Sequence, residues 1–70
     1  MECTHYFKKA YVYIHFYNGN YDAYENVHEL TFIDDLVKIV VENDDGVLFA
    51  DYYDWNIISK INIVVDPKEN

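Results

Sequence analysis

Between Val40 and Asn56 the chain reads VVENDDGVLFADYYDWN, which sets the carboxylates Glu42, Asp44, Asp45, Asp51 and Asp54 beside Tyr52, Tyr53 and Trp55 with no lysine or arginine among them. Acids and aromatics in such density suit acid–base catalysis, cation binding or recognition of a basic surface. Acid–base catalysis needs carboxyls perturbed within a pocket, and acids at the turns of a thin domain have none. An EF-hand loop opens on an acid and closes on a glutamate around its central glycine. Set on Gly46, those two places fall to Val41 and Tyr52.

Other routes to chemistry are equally bare. His5, His15, His28 and Cys3 show none of the paired spacings that hold zinc. Gly19 and Gly46 lie too far apart for a phosphate cradle. Ser59, the single serine, falls on an expected strand, and Cys3 falls in an expected frayed terminus. The expectation is a protein with no catalytic residue, metal or cofactor.

Recognition of a basic surface remains, and the charge favours it. Thirteen acids face five lysines with no arginine, a net charge of −8. From Ala10 to Ser59 ten acids (Asp22, Glu25, Glu29, Asp34, Asp35, Glu42, Asp44, Asp45, Asp51 and Asp54) stand against Lys38 alone, a balance of −9. Direct nucleic-acid binding needs a basic footprint, and anionic membranes repel such a chain. A basic protein surface is the natural partner.

The elements that must position these groups follow from a period of two. In YVYIHFY, Val12, Ile14 and Phe16 share one face, while Tyr11, Tyr13, His15 and Tyr17 share the other. The Asn18-Gly19-Asn20 stretch then signals a tight turn. VHELTFI (Val27 to Ile33), LVKIVVE (Leu36 to Glu42), VLFADYY (Val47 to Tyr53) and IISKINIVV (Ile57 to Val65) read as four more strands, with Pro67 ending the last. Asp34-Asp35 and Asn43 to Gly46 punctuate two of the junctions.

Connections this short predict a mainly β domain, a small antiparallel sheet or meander of about five strands spanning 1–70 as one unit. Within it, DAYENVHEL has the capping-box spacing of Asp22 and Glu25, with Ala23, Val27 and Leu30 on one helical face. The alternative is therefore an α+β fold with one short helix near 22–30. YENVHELTFI and WNIISKINIV also echo each other, an aromatic followed by apolar residues at matching offsets. Two strands that follow an aromatic-led turn account for this more simply than duplication.

In a meander, Asp22, Glu25, Asp44 and Asp45 gather near one end of the sheet, and Asp34, Asp35 and Asp54 near the other. Alternate strand residues lie roughly 6.5–7 Å apart, similar to the spacing of phosphates along a nucleic-acid strand. The candidate partner-binding residues are Asp44, Asp45, Asp51, Asp54, Asp34 and Asp35, with Tyr52, Tyr53 and Trp55 as aromatic anchors. Strand alternation sends Tyr52 and Tyr53 to opposite faces. Against this stands a plainer reading, in which turn acids serve solubility and blunt the sheet ends. A tyrosine face on the first long strand then carries docking or self-association.

The stretches ENDDG, FADYYD and FIDD, with the small size and acidic balance of the chain, carry a resemblance. In character the chain resembles the small acidic inhibitors encoded by phages and mobile elements, among them anti-CRISPR proteins and nucleic-acid mimics. That resemblance implies occlusion of a nucleic-acid-binding protein such as a CRISPR effector or another nuclease. A lone cysteine, no cleavable leader in Met1 to Ala10 and no long apolar run point to a reducing cytoplasm, that of a host cell for a phage product. The expected assembly is a monomer or homodimer.

Overall fold

The computed structural model describes residues 2–65. Within them the chain forms β1 (Glu2–Tyr6), β2 (Ala10–Phe16), β3 (Tyr21–Tyr24), β4 (Val27–Ile33), β5 (Leu36–Glu42), β6 (Leu48–Asp54), a single 3₁₀ turn η1 (Trp55–Ile57), and β7 (Ile58–Val65). All pairings are antiparallel. They build one sheet in the order β1-β4-β5-β6 and a second in the order β3-β2-β7.

The two sheets share one core. Ala10, Val12 and Ile14 of β2 and Ile58 of β7 meet Val27 and Leu30 of β4 and Val37, Ile39 and Val41 of β5. Phe16, Tyr24, Phe32 and Tyr53 pack around that cluster. The alternation of β2 is as expected, with Ala10, Val12 and Ile14 buried and Tyr11 exposed between them.

The mainly β class holds, but four expectations need correction. Seven strands replace five, because Glu2–Tyr6 pairs with β4 and Tyr21–Tyr24 pairs with β2. Cys3 thus sits in a paired strand, opposite Phe32, instead of a frayed end. The meander holds only for β4, β5 and β6. The chain changes sheet between β1 and β2, between β3 and β4, and between β6 and β7. The stop expected at Pro67 lies outside the described residues.

The helix near 22–30 is absent: Asp22–Tyr24 belongs to β3, and Val27–Leu30 opens β4. A β-bulge produced its signature. Val27 pairs with Val41 and Glu29 with Val40, so His28 is an extra residue in β4. That insertion turns both Val27 and Leu30 inward at helix-like spacing. The first residues of β7 repeat the device. Phe16 pairs with Ile58 and His15 with Lys60, leaving Ser59 as the extra residue and sending Ile58 and Ile61 to one side. The echo between the two segments is therefore a shared bulge at the start of each strand.

Asn26 and Asp34 take left-handed backbone angles, φ 59° and 51°, a conformation that asparagine, aspartate and glycine tolerate best. Each lets the chain reverse abruptly before a core strand. Asn26→Gly should change stability by less than about 0.5 kcal/mol, whereas Asn26→Val should cost about 1–2 kcal/mol. Leu30→Ala, which opens a void among fully buried neighbours, should cost about 3 kcal/mol. Urea denaturation measures all three, and a tolerated Leu30→Ala would contradict the core as described.

Candidate functional site

β3 and β6 are edges of different sheets, and four polar side chains join them. Asp22 and Tyr24 lie opposite Ile14 and Val12, while Asp51 and Tyr53 lie opposite Ile39 and Val37. Because cross-strand partners share a face, all four residues turn toward the interior side of their sheets. The Tyr24 hydroxyl donates to Asp51 Oδ2 at 3.0 Å, and the Tyr53 hydroxyl donates to Asp22 Oδ2 at 2.8 Å. The two hydroxyls also touch each other. Their rings meet edge to face, 6.3 Å apart at 83°, and Tyr53 lies 5.8 Å from Phe16.

Burial raises both phenols above the ordinary tyrosine range. For Tyr53 the hydrogen bonds to Tyr24 and Asp22 add to that shift. For Tyr24 the contact with Tyr53 opposes it and Asp51 reinforces it. Asp51 and Tyr53, both expected as partner contacts, are thus engaged within the chain. Sequence reading did not single out Tyr24. The Asn-Gly turn that aligns β3 with β2 was the signal that could have placed it.

The remaining acids lie at the two ends. At one, Asn43 Oδ1 accepts from the backbone N–H groups of Asp45 and Val47 at 2.9 Å, which holds the turn and leaves Asp44 and Asp45 exposed. The Glu42 N–H donates to the Asn26 carbonyl at 3.1 Å, drawing the turn that contains Glu25 to the same end. At the other end, Trp55 N–H donates to the Asp35 carbonyl at 2.7 Å. Asp54 accepts from the backbone and side-chain amides of Asn56 at 2.9 and 3.0 Å, capping η1. Asp34, Asp35 and Asp54 therefore converge. Asp22, expected beside Glu25, Asp44 and Asp45, lies instead in the tyrosine cluster on the side of η1.

The aromatic candidates divide in the same way. Tyr52 projects from the outer face of β6 and is 60% exposed. Trp55 sits edge-on to Phe32, ring centres 5.5 Å apart, and keeps 45% of its surface exposed. Near η1 lies an open groove of about 610 Å³, lined by Phe16, Tyr17, Asn18, Asn20, Asp22, Asn56 and Ile57.

Lys38, the sole cation between Ala10 and Ser59, is already occupied. Its Nζ lies 3.0 Å from Glu29 Oε2 on the outer face of the larger sheet. The Thr31 hydroxyl donates to the same carboxylate at 2.8 Å. Together they hold the Glu29 carboxyl below its ordinary value, Thr31 contributing most. His28 pairs with Glu42 at 3.0 Å. Among the described residues no group of three or more His, Cys, Asp or Glu is placed to hold a metal ion, and no helix is long and apolar enough to cross a membrane.

No protein-family model, curated protein or solved structure matches the chain.

The raised phenols have a measurable consequence. Tyr24 and Tyr53 bind their protons more tightly folded than unfolded, so their stabilising contribution is complete below about pH 10, the free tyrosine value. It is lost as pH rises through and beyond that point. Alkaline titration followed by tyrosinate absorbance should show Tyr24 and Tyr53 ionising above the free tyrosine value while the domain is folded. Tyr53→Phe should cost about 1–2 kcal/mol near neutrality and flatten the alkaline decline. An unchanged alkaline profile in the variant would contradict the cluster.

Proposed function

We propose that this is a non-enzymatic binding domain that seats its acidic ends on the basic surface of a nucleic-acid-binding protein and occludes it. One observation carries the reading: ten acids from Ala10 to Ser59 face a single lysine, and Glu29 already holds that lysine. The segment keeps a strong negative balance, and Asp35, Asp44 and Asp45 are exposed at its turns. Like-charged turns of this density attract a cationic groove over long range, accelerate encounter and repel nucleic acid. Asp35, Asp44 and Asp45, with Asp34 and Asp54 beside them, are the contacts to lysine and arginine. Tyr52 and Trp55 supply rigid apolar area next to the charge. The groove beside Asp22 offers an aromatic wall and a carboxylate to a long basic side chain.

A second reading has its own support. On the outer face of the smaller sheet Tyr21 lies 6.4 Å from Tyr13 and 5.7 Å from His15, ring centre to ring centre. Tyr11 and Tyr21 are 52% and 59% exposed. Such a face suits docking with little help from charge.

The structure also selects the variants that separate the two. Asp51 and Asp54 accept internal hydrogen bonds and Asp34 holds a left-handed turn, so reversing them would disturb the fold. Asp35→Lys, Asp44→Lys and Asp45→Lys combined reverse exposed charge alone. This triple variant should remain folded and lose capture of a nucleic-acid-binding protein from host lysate by about tenfold or more. Tyr11→Ser with Tyr21→Ser should leave capture unchanged. The opposite pattern would reject the acidic interface in favour of the tyrosine face.

A further inference from the structure

Four strands terminate the two sheets: β1 and β6 in the larger, β3 and β7 in the smaller. Three of these edges contain a carboxylate, Glu2 in β1, Asp22 in β3, and Asp51 and Asp54 in β6. Charge on an edge strand is the usual protection against pairing with another chain. β7 lacks it. Its eight residues, ISKINIVV, make it the longest strand, with Lys60 as its only charge.

The rest of β7 is equally open to pairing. Beyond the bulge at Ser59, its register with β2 runs unbroken from Lys60 to Val65. No proline or second bulge interrupts that run. Ile63, opposite Val12, is 41% exposed, and Val64, opposite Tyr11, is 52% exposed. Apolar surface is therefore uncovered on both faces of the strand, and an edge strand presents alternate N–H and C=O groups outward.

We propose that β7 is the dimerisation edge of this chain: two copies pair β7 with β7, antiparallel about a twofold axis. The smaller sheets then merge into one of six strands, in the order β3-β2-β7-β7-β2-β3. Charge identifies the occupant as a second copy. Two chains that each carry a net charge of −8 repel wherever their acidic surfaces meet, and among the described residues β7 is the edge strand that contains no carboxylate. A basic partner gains nothing there, since the strand offers it no acid. An antiparallel strand is also its own complement under a twofold axis. Growth stops at two because the far edge, β3, has only four residues and includes Asp22.

The dimer and the acidic interface respond oppositely to salt. Screening relieves repulsion between like-charged copies and weakens attraction to a basic partner. Light scattering of the purified chain should therefore give twice the monomer mass, with association tightening as salt rises. Hydrogen exchange should show alternate β7 amides becoming protected as concentration increases. Val64→Asp places a carboxylate on the exposed side of the strand without entering the core. It should yield a folded monomer whose β7 amides exchange as those of an open edge. A wild-type chain that stays monomeric at every concentration and salt overturns the proposal. So does a dimer that survives Val64→Asp, or one in which β7 gains no protection, because the contact then lies elsewhere, as on the tyrosine face. Assemblies larger than two also overturn it.

Discussion

A thin β-domain has difficulty closing the gap where the edges of its two sheets face each other, and here two tyrosines close it. Tyr24 from β3 and Tyr53 from β6 have the length to reach across and the apolar area to cover the flank of the core. Their hydroxyls end beside Asp22 and Asp51, each carboxylate accepting a hydrogen bond from the phenol of the opposite sheet. The aliphatic core is modest, nine buried side chains from Ala10 to Ile58. A cross-sheet contact of this kind therefore adds usefully to the cohesion between layers. β6 itself lies where its pairing with β5 places it, from Leu48 opposite Glu42 to Asp54 opposite Leu36, and the acidic turns flank it at either end.

That arrangement sorts the carboxylates by task. Asp22 and Asp51 join the sheets, Asp54 caps η1, Asp34 permits a reversed turn, and Glu29 pairs with Lys38. Asp35, Asp44 and Asp45 project from the turns while their backbones are held by other groups: the Asp35 carbonyl by Trp55, and the Asn43 to Gly46 turn by the Asn43 side chain. Solubility alone accounts for scattered turn acids. It does not require a central span of ten acids around one lysine that is itself engaged.

Much of the fold was legible because side-chain alternation is a local property. Val12, Ile14, Val37 and Ile39 announce their burial by period two, and the Asn-Gly turn announces a hairpin. The bulges were less legible. An extra residue at His28 or Ser59 shifts the inward pattern by one and makes Val27 and Leu30 imitate a helix. β1 and β3 were missed because their sequences are polar, and their pairing rests on a neighbouring strand more than on their own composition. The tyrosine cluster was hidden for a related reason. Tyr24 and Tyr53 are 29 residues apart, and only the crossing between sheets brings them together. The exposed acids were plain in the sequence, whereas their division into structural and projecting groups required the hydrogen bonds.

The central claim is that the projecting acids occupy a site otherwise filled by nucleic acid. Competition tests this most directly: a basic nucleic-acid-binding protein captured by the domain is loaded with labelled nucleic acid and titrated with the domain at several salt concentrations. The account predicts stoichiometric displacement of the nucleic acid, weakening steeply as salt rises. Simultaneous binding of domain and nucleic acid, or displacement indifferent to salt, would contradict it.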